Sequence, residues 1–114
     1  MTELRDISIE KDYTTMSLSS VLYISGETKV LITTSVSDFL PRWLVGENYG
    51  WVTAEYSMLP GSSPQRVNRS SYEKGRSKEI SRLIGRSLRT VVDLEKIDGL
   101  SVTVDCDVLQ ADGG

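Results

Sequence analysis

One stretch of this chain has the period of a helix. Apolar side chains recur at Ile80, Leu83, Ile84, Leu88, Val91 and Val92, three and four residues apart. That spacing gathers them on one side of a helix and predicts one over residues 77–95. Lys78, Arg82, Arg86 and Arg89 fall on a different face, at spacings of four, four and three. The other apolar runs have a period of two. Residues 6–12, 20–25, 30–36, 51–56 and 101–109 read as strands, rich in the β-branched residues a half-buried strand prefers. In the last of them Val102, Val104, Cys106 and Val108 share one face, and Thr103, Asp105 and Asp107 the other. In the third, Val30, Ile32, Thr34 and Val36 share a face. Gly26-Glu27-Thr28-Lys29 is a short connection that predicts a hairpin. Residues 38–50 and 60–75, with their prolines and glycines, read as loops, the second of them mobile. Strands, one long helix and a final strand predict an α+β fold, a mostly antiparallel sheet with the helix packed on one face.

The chain has 114 residues, enough for one domain. It lacks a run of eighteen apolar residues, which argues against a membrane span. Its charged start has no apolar segment of the kind a secretory signal needs. A single cysteine, Cys106, fits a reducing cytosol and predicts a cytoplasmic protein. The sequence contains no histidine, so imidazole acid–base chemistry, His-based triads and His zinc sites are excluded.

Charge is uneven. The whole chain carries −3, yet residues 63–89 hold eight basic side chains and two acidic ones, a net +6. Most of the eight are arginine, the residue that pairs bidentately with phosphate. The window reads either as a local anion or nucleic-acid site or as a solvated loop and helix face. Lys74-Gly75-Arg76-Ser77 places an arginine at the predicted helix start, where free backbone N–H groups favour anions. A solvated surface arginine is the plainer reading of Arg76. Arg66 and Arg69, three apart on the loop, suit an RNA backbone or water. Asp105 and Asp107 form a carboxylate pair, which reads as a weak Mg²⁺ or acid–base site or as a polar strand face. Cys106, among valines and with no histidine to activate it, reads as a core residue. Trp43, Trp51 and Tyr56 suit base stacking or core packing. The last residues, 110–114, end in Gly-Gly after a strand, which reads either as a frayed polar tail or as a chain expected to continue.

Longer phrases add a resemblance. Gly50-Trp51-Val52-Thr53-Ala54-Glu55-Tyr56-Ser57-Met58-Leu59-Pro60, Arg82-Leu83-Ile84-Gly85-Arg86-Ser87-Leu88-Arg89 with Val91-Val92-Asp93-Leu94, and Asp105-Cys106-Asp107-Val108-Leu109-Gln110-Ala111-Asp112-Gly113-Gly114 together resemble the ribonuclease PH family. Gly26-Glu27-Thr28-Lys29-Val30-Leu31 fits as well. The resemblance covers nearly the whole chain, in order, and implies that residues 1–114 are the N-terminal part of one domain of the ribosomal protein S5 domain 2-like fold. It implies a phosphorolytic 3′-to-5′ exoribonuclease trimming tRNA 3′ ends, with inorganic phosphate as co-substrate, assembled as a hexameric ring. Arg76 stands at the family's phosphate-binding arginine. Gly114 stands at the first position of its Gly-Thr-Arg phosphate motif. Arg66 and Arg69 match basic loop positions linked to tRNA. A third basic position of the family is Gly61 here, and the loop between Arg69 and Arg76 is a few residues short. The resemblance implies no catalytic residue and no metal ligand in this chain: the family's catalytic and Mg²⁺-binding aspartates lie further on, and Asp105 and Asp107 do not replace them. It therefore implies that the chain alone lacks robust phosphorolysis. The alternative is a non-catalytic RNA-binding or assembly subunit of such a ring.

Overall fold

The computed structural model describes residues 6–14, 16–68 and 75–112. Their strands follow the period-two runs: β1 (Ile7–Lys11), β2 (Ser19–Ser25), β3 (Thr28–Ser37), β4 (Trp51–Met58) and β5 (Ser101–Gln110). A helix, α1 (Arg76–Val91), lies between β4 and β5, and 3-10 turns form at Arg42–Leu44 and Leu94–Ile97. The strands make one sheet in the order β1-β2-β3-β5-β4. Three of its pairings are antiparallel. The fourth, β4 with β5, is parallel. A parallel pair needs a crossover, and α1 supplies it. The α+β class and the mostly antiparallel sheet are those the sequence predicts, with this parallel pair added at one edge.

The β2–β3 hairpin turns on Gly26 and Glu27, since Ser25 pairs with Thr28. Gly26 has φ +61° and is the first of the two loop residues, the position a type II′ turn gives to glycine. The alternation in β5 holds. Cys106 lies beside Ile32 of β3 and Tyr56 of β4, and Val108 beside Val30 and Met58. Cys106, Val108, Val52 and Ala54 are buried on that face. Leu22 is buried on the opposite face, in line with Leu31 and Asp107. Leu44, in the first 3-10 turn, is completely buried.

The helix sits along an edge, where the sequence suggested a face. It packs chiefly on β4. Trp51 N–H donates to Leu100 O and Leu59 N–H to Val108 O, so the odd-numbered residues of β4 turn their backbone groups towards β5. The even-numbered ones turn theirs to the open side. Two side chains of α1 reach that side. Ser77 Oγ donates to Tyr56 O, and Arg89 NH1 donates to Val52 O at 2.7 Å. An unpaired strand edge invites pairing with another chain, and α1 closes this one. Gly85 leaves room for the Arg89 guanidinium: a Cβ there would lie 3.1 Å from Arg89 NH1, while its 3.6 Å distance to Ala54 N is ordinary contact.

The face of α1 turned to β4 therefore differs from the apolar stripe. Ser77 and Gly85 are its buried residues, while Leu83 is 59% exposed and Val91 78%. Arg89, grouped by sequence with the outward-facing bases, is half-buried, with its guanidinium 4.6 Å from the Trp51 ring centre. The helix ends at Val91, short of the predicted residue 95. Asp93 accepts a hydrogen bond from Glu95 N–H and caps the next turn, so the chain leaves the α-helix there.

The radius of gyration is 15.7 Å, against about 13 Å for a compact domain of this length. The difference fits a sheet with open surface: Ile7 and Ile9 on β1 are each more than half exposed. Among the described residues, no helix is long and apolar enough to cross a membrane.

Candidate functional site

Parallel pairing of β4 and β5 sends their C-terminal ends to the same end of the sheet. Three features follow from those ends. The first is the loop that leaves β4 and bears Arg66. Leu59 O accepts from Ser62 N–H, Pro60 O accepts from Val67 N–H at 2.8 Å, and Ser63 Oγ donates to Gln65 O. The segment expected to be mobile is thus a hydrogen-bonded turn as far as Val67, with Arg66 exposed on it.

The second is the start of α1. Arg76 is the first helical residue and is exposed, and Gly75 caps the helix without a side-chain hydrogen bond. The leading N–H groups of a helix have no partner within it and bear partial positive charge. Arg76 adds a full charge at that point.

The third is the chain leaving β5. Gln110 Nε2 donates to Glu27 O at 2.6 Å. The Asp112 carboxylate accepts from Glu27 N–H at 2.9 Å and from Thr28 Oγ1 at 2.8 Å. Ala111 N–H donates to Ser62 O at 2.7 Å. The β2–β3 turn, the loop after β4 and the approach to Gly113 are therefore tied together. Between them lies a cleft of about 780 Å³ lined by Glu27, Met58, Gly61, Ser62, Gln110 and Asp112.

Of the residues singled out by sequence, Arg66 and Arg76 lie on segments leading from one end of the sheet. Arg69 and Gly114 lie outside the described residues. Gly114 follows two residues after the anchored Asp112. Trp51 is enclosed by neighbours: Trp43 meets it edge-on at 4.8 Å between ring centres, and Arg89 covers it. That is a packing role. The sequence did not single out Ser77, Gln110 or Asp112. Each acts through a partner more than twenty residues away, which no local pattern signals.

Asp105 and Asp107 line a smaller cleft beneath α1 with Glu55, Ser77, Lys78 and Ser81. No group of three or more His, Cys, Asp or Glu side chains among the described residues is placed to hold a metal ion. Burial, and then the neighbouring Asp105, holds the Asp107 carboxyl above its ordinary value. Burial, with Asp107 and Asp105 adding, likewise raises the Cys106 thiol, which keeps it protonated and inert. A carboxyl raised in the fold binds its proton more tightly there than in the unfolded chain. Stability then falls as pH rises from the unfolded value, about 4, through the folded one, and the penalty is complete above it. Asp107→Asn is expected to raise the melting temperature at pH 7 and to flatten its dependence on pH across the acid range. An unchanged acid-side profile would exclude Asp107 as its source.

The chain has relatives among known proteins. Residues 3–114 match the model of the RNase PH 3′ exoribonuclease family, domain 1. A ribonuclease PH of Rhodopirellula baltica is 56% identical over 114 residues, covering 98% of this chain and 46% of its own length. A ribonuclease PH of Crocosphaera subtropica is 50% identical over 113 residues, covering 98% and 47%. The chain thus spans about half the length of the curated relatives it matches. An Archaeoglobus fulgidus exosome solved with RNA bound to its active site superposes with a TM-score of 0.78 at 25% identity, over 98% of this chain and 46% of the other. An archaeal exosome core superposes at 0.71 and 21% identity, over 97% and 42%, and shares the fold.

Proposed function

The chain belongs to the RNase PH family of 3′ exoribonucleases, and on that premise we propose that residues 1–114 are the N-terminal part of one domain of a phosphorolytic enzyme that trims tRNA 3′ ends. The observation that supports it most is the meeting of the Arg66 loop, the Arg76 helix start and the approach to Gly114 at one end of the sheet. In this reading an oxygen of inorganic phosphate attacks the phosphorus of the last phosphodiester. The bond from that phosphorus to the 3′ oxygen of the preceding nucleotide breaks. A nucleoside diphosphate leaves, and the shortened RNA keeps a 3′-hydroxyl. The reaction gathers negative charge at one point, which positioned cations and N–H groups stabilise.

Arg76 binds the attacking phosphate, and the backbone at Gly114 completes its cradle. Arg66 and Arg69 hold the RNA backbone. In this reading the carboxylates that hold Mg²⁺ lie further along the protein than residue 114, and no step above depends on the ion. The working form proposed is a cytoplasmic homo-oligomeric ring, a hexamer.

The defining test is product identity: nucleoside diphosphates formed from a 3′-extended tRNA only when phosphate is supplied. The RNA-binding half of the proposal is tested on the chain itself. Each phosphate neutralised on single-stranded RNA contributes about 0.7 to the slope of log affinity against log salt. Replacing Arg66 and Arg69 together by Ala is expected to weaken binding to a tRNA 3′ end and to flatten that slope by about 1.4. An unchanged slope would remove both arginines from the RNA contact.

A further inference from the structure

The first turn of α1 has an unusual anchor. A serine in the middle of a helix can bond back to the backbone four residues earlier. Ser87 does this, with Oγ donating to Leu83 O at 2.9 Å. Ser77 does not. It is 5% exposed, and its Oγ crosses to Tyr56 O, twenty-one residues away on the open edge of β4. Among the described residues, the Ser77 bond is the side-chain tie between the first turn and the sheet. The cap is Gly75, which offers no side-chain hydrogen bond, and a Cβ built there would meet nothing within 4 Å. At the far end Arg89 makes the matching bond to Val52 O, and Gly85 leaves room for its guanidinium. The helix is thus fastened to one strand at both ends by polar side chains.

We propose that Ser77 is a positioning residue for phosphate binding: its bond to Tyr56 O holds the first turn of α1, and with it Arg76, at the C-terminal end of β4. The inference rests on the reading of Arg76 as the phosphate-binding arginine. Arg76 is adjacent in sequence and exposed, so the Ser77 bond fixes the backbone from which the guanidinium extends. Without it the turn frays, as helix ends do, and the arginine spends its time away from the anion.

The test is a titration of the 114-residue chain with inorganic phosphate, followed by ³¹P resonance, for the parent, Arg76→Ala, Ser77→Ala and Ser77→Thr. Melting temperature and affinity for a tRNA 3′ end are recorded alongside. Ser77→Ala is expected to weaken phosphate binding about tenfold, the effect of one lost hydrogen bond of roughly 1.4 kcal/mol. Ser77→Thr keeps the hydroxyl and is expected to retain the parent affinity, and RNA affinity should stay unchanged in both. If Arg76→Ala abolishes binding and Ser77→Ala does not weaken it, the role of Ser77 is overturned and that of Arg76 stands. If Arg76→Ala leaves phosphate binding unchanged, the reading of Arg76 fails and this inference with it. If Ser77→Ala lowers the melting temperature and RNA affinity as much as phosphate affinity, Ser77 serves folding alone and the inference fails.

Discussion

Gly50→Ala is expected to destabilise the fold by about 3 kcal/mol, the upper end of what overpacking costs. Gly50 is buried at the point where β4 begins, against the turn Leu94–Ile97. Its N–H donates to Leu94 O at 2.9 Å. A Cβ there would lie 2.1 Å from Ile97 O and 2.5 Å from Leu100 O. Both oxygens are backbone atoms, and both are engaged: Ile97 O accepts from Leu100 N–H and Leu100 O from Trp51 N–H. Neither moves without loosening the entry into β4 or β5. A folded domain has only roughly 5–15 kcal/mol to lose, so the variant should show a much lower urea midpoint or fail to accumulate. Gly61→Ala is the control. A Cβ there meets nothing within 4 Å, and its midpoint should stay near that of the parent. A Gly50→Ala midpoint equal to the parent's would contradict the close approach of the turn to β4.

Arg76→Ala is expected to lower phosphate-dependent turnover about 100-fold or more, the cost of removing one positioned donor from developing negative charge. The assay uses residues 1–114 continued by the C-terminal portion of the Rhodopirellula baltica ribonuclease PH, the 56% identical relative. Arg76→Lys should recover part of the loss, because an ammonium supplies the charge without the planar fork that grips two phosphate oxygens. Arg76 is exposed and makes the first residue of its helix, so the substitution should leave the melting temperature almost unmoved. Full turnover in Arg76→Ala would take this residue out of the phosphate site.

The elements of the fold were legible wherever period and burial coincide. Val102, Val104, Cys106 and Val108 alternate because β5 lies between β3 and β4 in the sheet and buries that face at Cys106 and Val108, and the hairpin at Gly26 follows from a glycine between two β-branched runs. Pairing partners were less visible. Nothing local in β4 says that its neighbour is β5, fifty residues on and parallel to it. The apolar stripe of α1 marked a helix correctly but misplaced its contact face. A 3.6-residue period records where apolar side chains gather, whereas the residues α1 buries are two small ones, Ser77 and Gly85, that leave no hydrophobic signal. Arg89 misled for a related reason: by charge it belongs with Arg82 and Arg86, and only the Trp51 ring and Val52 O reveal it as a strut. Arg66 and Arg76 were visible as charge on an acidic chain. The residues that fix the segments around them, Ser77 and Asp112, were not, because their partners are distant in sequence.

The most direct measurement is the product released by that completed chain from a 3′-extended tRNA, with and without inorganic phosphate. The account predicts nucleoside diphosphates that appear only with phosphate and rise with its concentration. Nucleoside monophosphates, or a folded protein that binds the RNA and releases nothing, would contradict it. The second of those results would make this chain an RNA-binding or assembly subunit of a family ring.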